Sequence, residues 1–196
     1  AELEKVKGIP ADYVTFSGVG EPTLASNLGE AIVLARSVLR LPVAVFTNSS
    51  LMIRKDVRYE LGLADVVVAK VDAPNEELFS YINRPVMKCT LVEILRGIKL
   101  FRGEYKRKMD LQMMFINSNQ DYTLEMVKIV EELCPDEVQI NTPLRPSAVQ
   151  PLTPEDIRAI QQEFSGIRRV VTVYEASKPE VVPLNREETY YRRPEK

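Results

Sequence analysis

Histidine is missing from this 196-residue chain altogether. With it go the commonest general base near neutral pH and the commonest metal-ligating side chain. A Ser-His-Asp or Cys-His hydrolase is therefore excluded by composition. Cysteine is scarce. Cys89 and Cys134 are the only two, and they lie too far apart to match the close spacing of a zinc or iron–sulfur site. Each is expected to pack as a small apolar residue near a helix end. Strong charge of one sign is also lacking, since 26 Lys and Arg against 28 Asp and Glu leave a net −2. No whole-molecule basic field advertises nucleic acid or a membrane surface. No apolar run approaches the ~18–20 residues of a membrane span, and no signal-peptide pattern opens the chain. The expectation is no membrane partner and a cytoplasmic location.

What remains is ordinary in composition, 45% hydrophobic and 28% charged, and the length suits one domain or slightly more. Residues 1–177 are expected to form that domain. Residues 178–196, rich in proline and mixed charge, read as a tail or linker. The chain starts at Ala1 and ends at Lys196 without recognisable start or stop signals, so both termini are expected to be cuts.

The stretch Tyr13 to Leu24 organises the rest. Tyr13, Val14, Thr15 and Phe16 have the β-branched and aromatic character of a buried strand. The chain then breaks into Ser17-Gly18-Val19-Gly20-Glu21-Pro22, where glycine relaxes the backbone and proline fixes its own φ. A strand–loop–helix unit places this loop at a strand's carboxyl end, where α/β proteins keep their ligand sites. Glu21 can reach an amine there. The alternative is an ordinary turn with a solvated carboxylate.

Further along, helices are expected at 1–8, from Asn27, at 55–61, 74–79, from Thr90, over the run to Leu133, and from Thr153. Strands are expected at 43–46, 66–71, 111–116, 138–140 and 170–174. Asn27 with Glu30 and Thr90 with Glu93 have capping-box spacing. Strand and helix alternate with connections too long for hairpins, which requires a parallel sheet with right-handed crossovers. Strand 13–16 is expected at an edge, with Val14 and Phe16 either unusually accessible or masked by a neighbouring chain.

Each strand ends in polar residues. They are Ser17 to Glu21, Thr47-Asn48-Ser49, Lys70 with Asp72, Asn117-Ser118-Asn119, and Asn141-Thr142. In a parallel sheet or barrel these ends share one rim. Taken singly, Asn and Ser start turns, Asp72 can cap the helix before Pro74, and Lys70 can snorkel. Glu21, Asn48, Asp72, Asn117 and Asn141 are expected to converge on one cleft.

These residues resemble the radical S-adenosylmethionine (SAM) enzymes. Gly18-Val19-Gly20-Glu21-Pro22 looks like their GGEP-type motif, and Val45-Phe46-Thr47-Asn48-Ser49 looks like their next strand, often ending in T-N-G. Lys70-Val71-Asp72-Ala73-Pro74, with Asn83-Arg84-Pro85, is similar to the branch that includes the tRNA wyosine-base synthetases. The resemblance spans roughly residues 10–165. It implies a partial (β/α) barrel, an open parallel sheet in sequential strand order, with the first βα unit missing. It implies reductive cleavage of SAM to a 5′-deoxyadenosyl radical on an unknown small-molecule or RNA substrate, with an external electron donor. Gly18, Gly20 and Glu21 would hold the methionyl amine, Asn48 or Ser49 would lie beside the methionyl group, and Lys70 and Asp72 would face its carboxylate or the ribose. Asn117, Asn141 and Thr142 would flank the adenine. The family's [4Fe–4S] cluster sits on a CxxxCxxC loop that this chain lacks, so no metal ligand and no catalytic residue is assigned, and the chain alone is expected to be inactive. Two other readings stand beside it. An RNA-binding or tRNA-modification module would use Tyr105-Lys106-Arg107-Lys108, Arg168-Arg169 and Tyr190-Tyr191-Arg192-Arg193. A β/α-barrel lyase would use Lys70 as a Schiff-base amine.

Overall fold

Short β-branched runs alternate with amphipathic helices in the computed structural model, which describes residues 2–18, 20–145 and 147–176. The chain opens with α1 (Glu2–Lys5) and β1 (Val14–Phe16). It continues through α2 (Leu28–Leu39), β2 (Val43–Thr47), α3 (Lys55–Leu61), β3 (Val66–Lys70), α4 (Glu76–Asn83), α5 (Leu91–Glu104) and β4 (Lys108–Met114). The last described elements are α6 (Thr123–Leu133), β5 (Glu137–Asn141), α7 (Pro154–Glu163) and β6 (Val170–Thr172). The six strands form one sheet in the order β1-β2-β3-β4-β5-β6, and every pairing is parallel. This is the open, sequentially ordered α/β sheet of a partial barrel. The expected tail at 178–196 lies outside the described residues.

The two sides of the sheet differ. Val43, Val45, Val67, Ala69, Met109, Leu111, Met113, Val138 and Ile140 face the helices and join one core with Ile32, Leu61, Ile98, Phe101, Met126, Val130 and Ile157. Side chains alternate along a strand, so the other face carries Ala44, Phe46, Val66, Val68, Lys70, Lys108, Asp110, Gln112, Met114, Glu137, Gln139 and Asn141. On this inner face Ala44, Val66 and Val68, with Phe46, form a small separate cluster.

Three expectations need correction. β4 starts at Lys108, not at 111, and stops at Met114. Its first inner-face positions are charged, so the segment reads as loop although Met109, Leu111 and Met113 alternate with them. α4 runs on to Asn83, and its cap is Asn75, whose side chain accepts from the Leu78 amide at 2.9 Å; Asp72 is used elsewhere. β1 is an edge strand, yet Val14 and Phe16 are half-buried and pack against the core, because α2 covers that side and leaves Thr15 exposed. Of the cysteines, Cys134 is exposed at the left-handed cap that ends α6, and Cys89 is partly buried.

Candidate functional site

All six strands point the same way, so their carboxyl ends form one rim. Its first member is Glu21, which caps a 3₁₀ turn at Pro22–Leu24. Its Oε1 accepts from the Thr23 amide at 3.2 Å, the Thr23 hydroxyl at 2.7 Å and the Thr47 hydroxyl at 2.7 Å. Oε2 accepts from the Asn48 amide at 2.7 Å. The half-buried carboxylate is thus held in place rather than loose. It ties the β1 loop to the end of β2 and keeps, on Oε2, acceptor capacity that the described residues do not use. Gly18 and Gly20 flank it in open space: a Cβ at either would meet nothing within 4 Å. The chain's own packing does not require glycine there.

The rim continues without a break. Ser49 donates its amide to Thr47 Oγ1 at 3.0 Å and approaches the Lys70 carbonyl at 3.5 Å. It is fully buried and has φ 67°, a conformation that costs any residue with a Cβ. Asn48 beside it is exposed, its Oδ1 accepting from Ser50. The Lys70 ammonium meets Asp72 Oδ2 at 2.5 Å, with side-chain exposures of 34% and 1%. Asp72 also accepts from Asn83 Nδ2 at 3.0 Å and from the Met114 amide at 3.0 Å. Its backbone carbonyl takes Asn119 Nδ2 at 2.8 Å. Asn119, 0% exposed, also donates to the Met114 carbonyl and accepts from Ile116. Asp72 is therefore a buried anchor that holds Lys70 and joins β3 to β4, and the accessible groups nearby are the exposed Asn117 and the half-buried Lys70.

At the far end, the Asn141 carbonyl accepts from Phe115 at 2.7 Å, and buried Thr142 accepts from the Leu152 amide at 2.9 Å. Ser118 Oγ is buried without a partner among the described residues.

Below the rim lies a polar wall that reading the sequence missed. Lys108 Nζ bridges Asp110 Oδ2 at 2.9 Å and Glu137 Oε2 at 3.3 Å, and Arg169 Nε reaches the same Glu137 oxygen at 2.8 Å. Gln112 donates to Gln139 at 3.3 Å, and Gln139 donates to Glu137 at 3.3 Å. Burial pushes the Asp110 carboxyl above its ordinary range, with Lys108 opposing. Burial works against the Lys108 ammonium, but its hydrogen bond to Asp110 and the charges of Asp110 and Glu137 hold its pKa up. The signal was the strict alternation of polar and apolar residues from Lys108 to Met113.

The basic run at 105–108 is largely committed to the fold. Tyr105 is buried with its hydroxyl on the Ala64 carbonyl at 2.9 Å, Arg107 bonds the Leu63 and Ala64 carbonyls, and Lys108 faces Asp110. The run 190–193 lies outside the described residues.

No family model matches the chain. Over 172 residues, 86% of its length, it is 35% identical to a UPF0026 protein of Methanocaldococcus jannaschii and covers 53% of that protein. It is 35% identical over 153 residues to a UPF0026 protein of Synechocystis, covering 76% of the chain and 57% of the relative. A protein named GTPase Obg from Brachyspira hyodysenteriae is 33% identical over 138 residues, 68% of this chain and 20% of that one. The chain spans about half the length of the UPF0026 relatives. Among solved structures, archaeal TYW1 matches with a TM-score of 0.64 at 18% identity, over 81% of this chain and 51% of that one. Streptococcus suis SuiB bound to S-adenosylmethionine gives 0.64 at 16%, over 82% and 39%. A radical SAM methyltransferase from Sphaerobacter thermophilus gives 0.64 at 16%, over 84% and 51%. The fold is the one these radical SAM enzymes share.

Proposed function

We propose that this chain is the SAM-binding core of a radical SAM enzyme. The observation that carries the reading is the unbroken hydrogen-bonded rim from Glu21 to Asp72, Asn119 and Asn141, on a sheet with that fold. The residues suit the cofactor's methionyl end. Glu21 Oε2 can accept from its ammonium, Asn48 offers an exposed amide beside it, and Lys70, held by Asp72, can face its carboxylate. Gly18 and Gly20 leave the backbone approachable. Asn117, Asn141 and Thr142 would flank the cofactor's adenine. When bound and reduced, SAM would supply a carbon radical to the substrate; this chain's part is to orient the cofactor and exclude side reactions.

The residues do not fit a [4Fe–4S] cluster. Cys89 precedes α5 at the rim end, Cys134 follows α6 at the opposite end, and the described residues contain no group of three or more potential ligands. Clusters need several close thiolates. Two cysteines so placed cannot provide them, so the 196-residue chain by itself should be inactive. After anaerobic reconstitution with iron and sulfide it should give no cluster EPR signal and, with dithionite, no 5′-deoxyadenosine. Cofactor cleavage by this chain would overturn that.

Cofactor binding is testable without the cluster. SAM titrated into the labelled chain should shift Glu21, Asn48 and Lys70 resonances with an affinity of roughly millimolar order, about −4 kcal/mol. Glu21→Gln, which removes the charge that pairs with the amine, should weaken it several-fold. Shifts confined to another face, or equal binding by Glu21→Gln, would defeat the proposal.

A further inference from the structure

The inner face divides along the seam between β3 and β4. On the β2–β3 side it is apolar, with Ala44, Phe46, Val66 and Val68. On the β4–β5 side stand Asp110, Gln112, Glu137 and Gln139, in register with one another: Asp110 beside Glu137, Gln112 beside Gln139. Among these four side chains, leaving Lys108 and Arg169 aside, acceptor atoms outnumber donor atoms. The Asp110 side chain is 1% exposed, Oδ2 takes the Lys108 ammonium, and Oδ1 is buried with no partner among the described residues. The amide chain from Gln112 through Gln139 to Glu137 leaves Gln112 Oε1 as its open end.

Charge is sorted by depth as well. The carboxylates of Asp110 and Glu137 are 1% and 8% exposed, while their counter-ions Lys108 and Arg169 are 38% and 64% exposed. Negative charge lies within the wall and positive charge at its edge. An unpaired buried acceptor is costly, and its partner must be a donor. Lys108 already shows which chemistry fits, since its ammonium bridges both carboxylates. Its stem is flexible and half-exposed, so it can shift to admit a second donor at Oδ1 while staying on Oδ2.

We infer that this wall, Asp110 with Gln112, Glu137 and Gln139, is a substrate subsite for an ammonium or guanidinium group, with the apolar strip of Phe46 and Val68 taking the substrate's hydrocarbon part. The inference rests on the proposed function, because the subsite lies on the inner face of the same sheet, running from Gln112 and Gln139 toward the strands' amino ends below the cofactor rim. A cationic metabolite and a Lys or Arg side chain of a protein substrate share this chemistry.

The test uses the 196-residue chain with labelled Asp and Gln side chains. Its probes are agmatine, a blocked Gly-Arg-Gly peptide, and neutral N-butylacetamide. The cations should shift the Gln112 and Gln139 side-chain amides and lower the midpoint of the Asp110 carboxyl titration, because a nearby cation favours the carboxylate. Lys108, Glu137 and Asp136 are the charged groups that bear on Asp110, with Arg169 on Glu137, and their effect is common to both arms. Asp110→Asn and Glu137→Gln, which keep the shape, should each weaken agmatine at least tenfold. Tighter agmatine points to a metabolite, and a tighter peptide to a side chain. An unmoved Asp110 midpoint, which needs no variant, would overturn the subsite, as would an equal response to N-butylacetamide. Loss of the SAM response at Glu21 with the agmatine response intact would sink the cofactor reading alone.

Discussion

Glu21 and Ser49 carry the residue-scale argument. Both were singled out as ligand groups, and both also do structural work at the rim. Glu21 accepts four hydrogen bonds from Thr23, Thr47 and Asn48. Ser49 sits at φ 67°, fully buried, at the position where the resemblance has the glycine of T-N-G. A side chain there bears about 1 kcal/mol of backbone strain, which glycine does not. Ser49→Gly should therefore keep or raise the midpoint of urea unfolding. Ser49→Val should lower stability by more than about 1 kcal/mol, since a β-branched residue is a true outlier at positive φ. Equal effects of the two would remove strain as the explanation. Of the role of Asp72, the sequence shows the place on the rim with Lys70 but not the burial or the other partners. Its two oxygens are filled by Lys70, Asn83 and Met114, and the last two stand far along the chain.

Among elements, α5 shows how local signals and tertiary constraint combine. Its start is written locally: Thr90 and Glu93 complete the capping box in both directions. Its seating is not. At Gly97 a Cβ would come within 2.6 Å of the Ile53 amide nitrogen and 2.7 Å of the Met52 carbonyl carbon, because the helix rests directly on the loop after β2. Gly97 would otherwise pass as a weak spot in an apolar stripe. Gly97→Ala should destabilise by roughly 1–3 kcal/mol by forcing apart α5 and that loop, despite alanine's better helix propensity. A higher melting temperature would refute the close approach. Thr90→Ala should cost ~1 kcal/mol. β4 makes the complementary point. Its charged inner-face positions resemble solvent loop when read singly, although Met109, Leu111 and Met113 alternate with them, and pairing with β3 and β5 turns Lys108 and Asp110 inward.

At the scale of the whole molecule, ion pairs at the strands' amino ends link stability to pH. Asp65 and Asp136 are both partly buried, which works to raise their pKa values. The Val43 amide with Arg36 at Asp65, and the Met109 amide with Arg102 at Asp136, outweigh burial and hold both below the ordinary carboxylate range. A carboxyl whose folded pKa is lowered stabilises above its unfolded pKa, about 3.9, and that contribution is lost as pH falls through the folded value. Stability should therefore drop on acidification below about pH 4. The drop should shrink in Asp65→Asn with Asp136→Asn. Asp110 works in the opposite sense, because its raised pKa favours the protonated form as pH falls. An unchanged acid limb in the double variant would contradict this account.

The sequence by itself determined the alternation of strand and helix, the parallel sheet, the shared rim and the edge position of β1. These follow from periodicity, capping and connection length, which are local and repeat along the chain. The absence of histidine likewise leaves out any histidine-based triad, and two distant cysteines give no close set of thiolates. Only the tertiary structure decided what each polar residue does. It made Asp72 and Asn119 buried anchors, left Asn48 and Lys70 at the surface of the rim, and turned Lys108, Asp110, Glu137 and Gln139 into one wall. The reason is physical. Whether a carboxylate is free, paired or buried depends on donors that arrive from other strands, and strand register, not neighbouring sequence, brings Asp110 beside Glu137.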